Sequence, residues 1–63
     1  MEEVFVTVVK QGDSAVLVAD GDTEAWIPYS TISEDSDINE YSEEADSGDL
    51  LAKAWLLEDR GLI

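Results

Sequence analysis

Residues 4–9 read Val-Phe-Val-Thr-Val-Val, a run of β-branched and aromatic side chains closed by Lys10-Gln11-Gly12-Asp13. Side chains branched at Cβ are crowded in a helix and fit the pleat of a strand, so the run predicts extended chain. Two more runs follow at short intervals: Ser14-Ala-Val-Leu-Val-Ala19 and Thr23-Glu-Ala-Trp-Ile27. Gly12-Asp13 supplies the first turn. Asp20-Gly21 is a hairpin signal of the type I′ kind, whose two central residues both need positive φ. Pro28 ends the third run because proline has no N–H to give a ladder. The expectation is an antiparallel meander with strands over about residues 4–10, 14–20 and 23–28.

The C-terminal third changes character. Leu50 to Arg60 is rich in Leu, Ala, Lys and Glu, all good helix formers. Leu50, Ala54 and Leu57 share a helical face, with Leu51 and Trp55 beside them. Ser47 or Asp49 could cap the start, Arg60 suits the negative end of the dipole, and Gly61 stands where a C-terminal cap belongs. This predicts a helix over about 49–60, with Leu62 and Ile63 folding back as an apolar lid. Trp26 and Trp55, in strongly apolar surroundings, are expected in the core. The fold class is α+β: a meander of three or four strands with one C-terminal helix packed on it, as a single domain over 1–63.

The chain has 63 residues, no cysteine and no histidine. No disulfide can brace it, a zinc site is disfavoured, and the usual general bases and thiol nucleophiles are missing. Stability has to come from apolar packing in a small domain, which leaves a homodimer open. There is no glycine-rich phosphate loop, and Ser30 has no obvious base. The expectation is a protein that is not an enzyme and uses no cofactor.

Charge is the outlier. Sixteen Asp and Glu stand against Lys10, Lys53 and Arg60, for a net charge of −13. Solubility of a small domain needs a net charge magnitude of only about 2–8, and self-repulsion on this scale opposes compaction. Nucleic acid backbones and anionic membrane surfaces would repel such a chain. No apolar run approaches the ~20 residues of a membrane span, and the acidic start, Met1-Glu2-Glu3, is unlike a secretory signal. A cytoplasmic address is therefore expected.

The acids are unevenly placed. Between residues 34 and 49 there are eight and no cation: Glu34, Asp35, Asp37, Glu40, Glu43, Glu44, Asp46 and Asp49. Asp20, Asp22 and Glu24 form a second group at the expected hairpin tip. Ile38 and Tyr41 are the only large apolar side chains in the first stretch. A flexible loop, a short helix and an irregular edge strand are all open for it. The i, i+3 spacing of Ile38 and Tyr41 leans toward a helical turn.

Carboxylates in ordered backbone can imitate nucleic acid. Duplex DNA carries one charge per ~1.7 Å of axis, and alternate residues of a strand point the same way about 6.6 Å apart. A groove of lysine and arginine built for phosphates would attract such a surface and be steered to it. Tyr29 and Tyr41 could add contact area or pack on the sheet.

Two stretches carry a family resemblance. Trp26-Ile-Pro-Tyr-Ser-Thr-Ile32 resembles the Trp-Ile-Pro-Lys-Ser-Gln-Ile that closes a β-hairpin in small phage-encoded proteins. Ala54-Trp-Leu-Leu-Glu-Asp-Arg-Gly-Leu-Ile63 resembles their C-terminal Trp-Leu-Ala-x-Glu-Lys-Gly-Leu-Ile. Tyr29 stands where that family has lysine. The resemblance implies a phage or mobile-element origin, an open sheet with a terminal helix, and no catalytic residues. In character the chain is also similar to small acidic phage inhibitors of host defence, of the anti-CRISPR or anti-restriction type, which mimic DNA. That likeness implies a partner with a basic nucleic-acid-binding groove, in a CRISPR effector or a restriction enzyme.

Two rival readings stand beside it. In one, the chain is a structural or housekeeping phage module whose charge serves solubility or high salt. In the other, Asp35-Ser-Asp-Ile-Asn39 opens a weak calcium loop with Glu43 and Asp46 at later ligand offsets. Against calcium, Glu40 occupies the place where such a loop needs glycine, and Asp46 stands for the closing glutamate.

Overall fold

The computed structural model describes all 63 residues. Four strands, β1 (Glu2–Gln11), β2 (Ala15–Asp20), β3 (Thr23–Pro28) and β4 (Ser47–Ala52), form one antiparallel sheet in the order β3-β2-β1-β4. A 3₁₀ turn, Tyr29–Thr31, follows β3, and a helix α1, Ala54–Asp59, follows β4. The α+β meander is thus present, with the fourth strand beside the first.

The strands alternate as a half-covered sheet should. Val6, Val8, Val16, Val18, Ala25, Ile27, Leu50 and Ala52 point to one face and are buried. Ile38 from the acidic segment and Leu56, Leu57 and Leu62 from the C-terminus close over that face. Tyr29 and Ile32 pack against the margin of the same core. The opposite face has no covering layer.

Residues 47–52 correct the expected helix over 49–60. They are strand β4, in register with β1 from Glu2↔Ala52 to Thr7↔Ser47. Only the C-terminal half of β1, from Thr7, pairs with β2, so its N-terminal half depends on β4 for a partner. That pairing overrides the helix propensity of Leu-Leu-Ala, and Leu50 is buried as a strand residue. The helix shrinks to six residues, and neither Ser47 nor Asp49 caps it; Lys53 holds the N-cap position without a side-chain bond.

The helix ends as its sequence suggests. Gly61 has φ +78°, its N–H donates to the Glu58 carbonyl at 3.1 Å, and Leu62 N–H donates to Leu57 at 2.9 Å. This is a Schellman cap, and it seats Leu62 in the core beside Leu57. Ile63 remains 53% exposed, so only Leu62 acts as the lid.

Three further expectations are corrected. The β2–β3 loop has Gly21 and Asp22 at its centre, with positive φ at Gly21 alone, as in a type II′ hairpin rather than I′. Trp26 is 45% exposed, because strand alternation puts it opposite its buried neighbours Ala25 and Ile27. Trp55 is 61% exposed, since a six-residue helix buries only Leu56 and Leu57.

Candidate interaction surface

The segment from Ser33 to Asp46 has no regular secondary structure, and Ile38 and Tyr41 form no helical turn. Ile38 is fully buried and Tyr41 is 84% exposed, so the two do not share a face. The segment is nevertheless tied at closely spaced points.

Ser36 is the central tie. Its side chain is buried, its Oγ donates to the Ile38 carbonyl at 2.8 Å, and it accepts the N–H of Leu51 at 3.0 Å and of Ile38 at 3.2 Å. Around it, Ser33 N–H donates to the Leu51 carbonyl at 2.8 Å and Asp37 N–H to Asp49 at 3.0 Å. These bonds occupy the outer edge of β4, which would otherwise offer unpaired backbone to another chain. Gly48 makes the approach possible: a Cβ there would lie 3.0 Å from Asp37 Cβ and 3.5 Å from Ile38 Cδ1.

Gln11, at the end of β1, is the second tie. Its Nε2 donates to the carbonyls of Asn39 at 2.9 Å and Ser42 at 2.6 Å. Its Oε1 accepts from the Tyr29 hydroxyl, which also lies 3.0 Å from the Gly12 carbonyl. Farther on, Ala45 N–H donates to Val8 at 2.8 Å and Val8 N–H returns a bond to Asp46 at 2.7 Å. Local turns complete the path, with Asn39 Oδ1 accepting Tyr41 N–H and Asp46 Oδ2 accepting Glu43 N–H, both at 2.8 Å. No buried side-chain polar atom lacks a partner.

These ties position the acids. Glu34, Asp35, Asp37, Glu40, Glu43, Glu44 and Asp46 are exposed and Asp49 is half-buried. The first three run beside the edge of β4, Glu40 lies at the Gln11 end of the sheet, and Asp46 returns to Val8. The sole ion pair of the molecule joins Arg60 to its neighbour Asp59, so none of these eight carboxylates is neutralised by a cation. No three carboxylates converge closely enough to hold a metal ion, and those of Asp37 and Asp46 are turned toward backbone N–H groups.

The second group is separate. Asp20, Asp22 and Glu24 are exposed around the β2–β3 turn. That turn lies five strand steps, about 17 Å, from the Gly12–Ser14 end where Glu40 sits. The eight acids of residues 34–49 therefore run along the β4 side of the sheet, from the level of Leu51 to that of Gln11, and the other three sit at the β2–β3 turn on the opposite side.

An open cavity of about 250 Å³ lies against the segment, lined by Tyr29, Ile32, Ser33, Glu34, Asn39, Glu40 and Tyr41. Aromatic rings and two carboxylates around one recess suit a cation. Ser36, Gln11 and Asn39 shape the surface; in the sequence Ser36 and Asn39 entered only the rival calcium-loop reading, and Gln11 only as the end of the first run. Ser36 and Asn39 carry a weak signal as turn formers, and Gln11 carries none.

No family model, curated protein or solved structure matches this chain. No helix is long and apolar enough to cross a membrane.

Proposed function

We propose that the chain is an inhibitor that presents its ordered carboxylates to the basic nucleic-acid-binding groove of a host defence complex and excludes DNA by competition. The observation that carries this reading is the combination of eight acids free of any cation with a segment fixed by Ser36, Gln11 and Ile38. A solvated charge run needs no such fixing. An array meant to meet a fixed set of lysines and arginines does, because ordering the carboxylates in advance lowers the entropy lost on binding. The cavity between Tyr29, Tyr41, Glu34 and Glu40 would receive one lysine or arginine side chain of the partner. The phage resemblance of residues 26–32 and 54–63 supplies the setting, a phage-type protein acting in the host cytoplasm, with a CRISPR effector or restriction enzyme as the partner.

The test is competition. Purified effector complexes and restriction enzymes are incubated with their DNA and increasing amounts of the chain, and DNA retention is read by mobility shift at several salt concentrations. The expected result is displacement that weakens steeply as salt rises. The triple variant Glu40→Lys, Glu43→Lys, Glu44→Lys should fold normally and lose inhibition. If it displaces DNA as well as the parent does, this patch is not the contact surface and the charge serves solubility.

A further inference from the structure

The uncovered face of the sheet has a composition of its own. The register aligns Lys10, Leu17 and Trp26 in one row across β1, β2 and β3. The next row holds Thr7, Ala19 and Glu24, with Ser47 on the other side. Beyond it Phe5 stands opposite Asp49, and Glu3 opposite Leu51. Phe5 is 62% exposed and Trp26 is 45% exposed. Trp26 lies against the first hairpin, where a Cβ on Gly12 would come 3.1 Å from the indole. Large exposed apolar side chains on an uncovered face, here interleaved with charge, mark an interaction site.

The occupant follows from charge. A second copy laid on this face would bring one set of Glu3, Glu24 and Asp49 against another, between two bodies that each carry −13. Lys10 is the cation in the row of Leu17 and Trp26. A partner of opposite sign, apolar at its centre and ringed by lysine or arginine, would cover Phe5, Leu17 and Trp26 and pair the interleaved acids. We infer that the outer face of the sheet docks a basic, apolar-centred protein surface, as a second contact area that adjoins the 34–49 segment at Asp49. The inference shares with the proposed function only the positive sign of the partner. Asp49 makes the two areas continuous, since its carbonyl receives Asp37 while its position on β4 faces Phe5. One partner could therefore engage both.

The experiment titrates the ¹⁵N-labelled chain with an amphipathic leucine–lysine peptide, and separately with oligolysine of equal charge, at physiological ionic strength. The expected result is that the leucine–lysine peptide shifts the amides of Phe5, Leu17 and Trp26 and the Trp26 indole, and binds at least tenfold more tightly than oligolysine. Phe5→Thr with Trp26→Thr should remove that advantage while the remaining amide spectrum stays folded. Glu40→Lys, Glu43→Lys, Glu44→Lys should weaken oligolysine and leave the sheet-face shifts in place, so failure here and failure of the proposed function read differently. The inference is overturned if the two ligands bind equally, if the leucine–lysine peptide shifts only residues 34–49, or if the chain alone sediments as a dimer joined through Phe5 and Trp26.

Discussion

The β1–β3 meander and the acidic segment are both ordered, by opposite means. The meander is held by its own ladder and by apolar side chains every second residue, so each strand contributes to its own stability. The segment of residues 33–46 has one buried apolar side chain, Ile38, and depends on polar atoms of other elements. Ser36 reaches the edge of β4, Gln11 reaches in from β1, and Val8 exchanges two backbone bonds with Ala45 and Asp46. The difference teaches that a strongly anionic segment can be fixed without neutralising it, provided its backbone rather than its side chains does the bonding. The carboxylates stay free because serine, glutamine and main-chain groups make most of the contacts.

The severest challenge to this contrast is Ile27→Ala. Ile27 is fully buried in the meander, and removing its branched side chain costs about 2–5 kcal/mol. In a domain this small that is much of the total stability, so urea denaturation should show a greatly lowered midpoint. Because the segment leans on the meander, amide exchange at Ile38 and Ala45 should accelerate with that of the strands. Retained protection in the segment while the strands open would reverse the dependence.

Ser36→Ala tests the other direction. The substitution leaves the N–H groups of Leu51 and Ile38 without their bond, at a cost of about 1–3 kcal/mol. Exchange at Ile38 and Leu51 should accelerate most, while Val16 and Val18 keep the larger part of their protection. A uniform loss across the chain would mean that meander and segment open as one cooperative unit.

How much of this was legible follows the same division. The first three strands were readable because β-branched runs favour extended chain and are punctuated by Gly12-Asp13, Asp20-Gly21 and Pro28. The fourth was not, because Leu50, Leu51 and Ala52 are better helix formers than strand formers, and only the unpaired half of β1 makes them a strand. Trp26 misled for a related reason: with apolar residues on both faces of the sheet, alternation alone does not say which face is covered. The acids were named from the sequence, and their division between the β4 edge and the β2–β3 turn was hidden, since it depends on the fourth strand pairing beside β1. Ser36 and Gln11 look like surface residues in sequence, and their role comes from partners 15 and 28 residues away in the chain.

The finest test compares one backbone conformation in the two regions. Gly21, in the meander, has φ +63°, and Ala45, in the segment, has φ +71°. The first position holds the residue that adopts this region freely, and the second holds one that is strained by about 1–2 kcal/mol. A Cβ added at Gly21 would meet nothing within 4 Å, so Gly21→Ala isolates the backbone cost and should destabilise by about 1 kcal/mol. Ala45→Gly should act in the opposite sense, relieving the strain less the extra freedom glycine gains in the unfolded chain, about 0.5–1 kcal/mol. The net gain of up to about 1 kcal/mol corresponds to a rise in Tm of several degrees for a domain of this size, measurable by circular dichroism. If Ala45→Gly lowers Tm, the alanine side chain contributes something that its exposed position does not reveal. If Tm rises as expected, the segment is shown to hold its path against local strain, as the Val8 bonds on either side of Ala45 require.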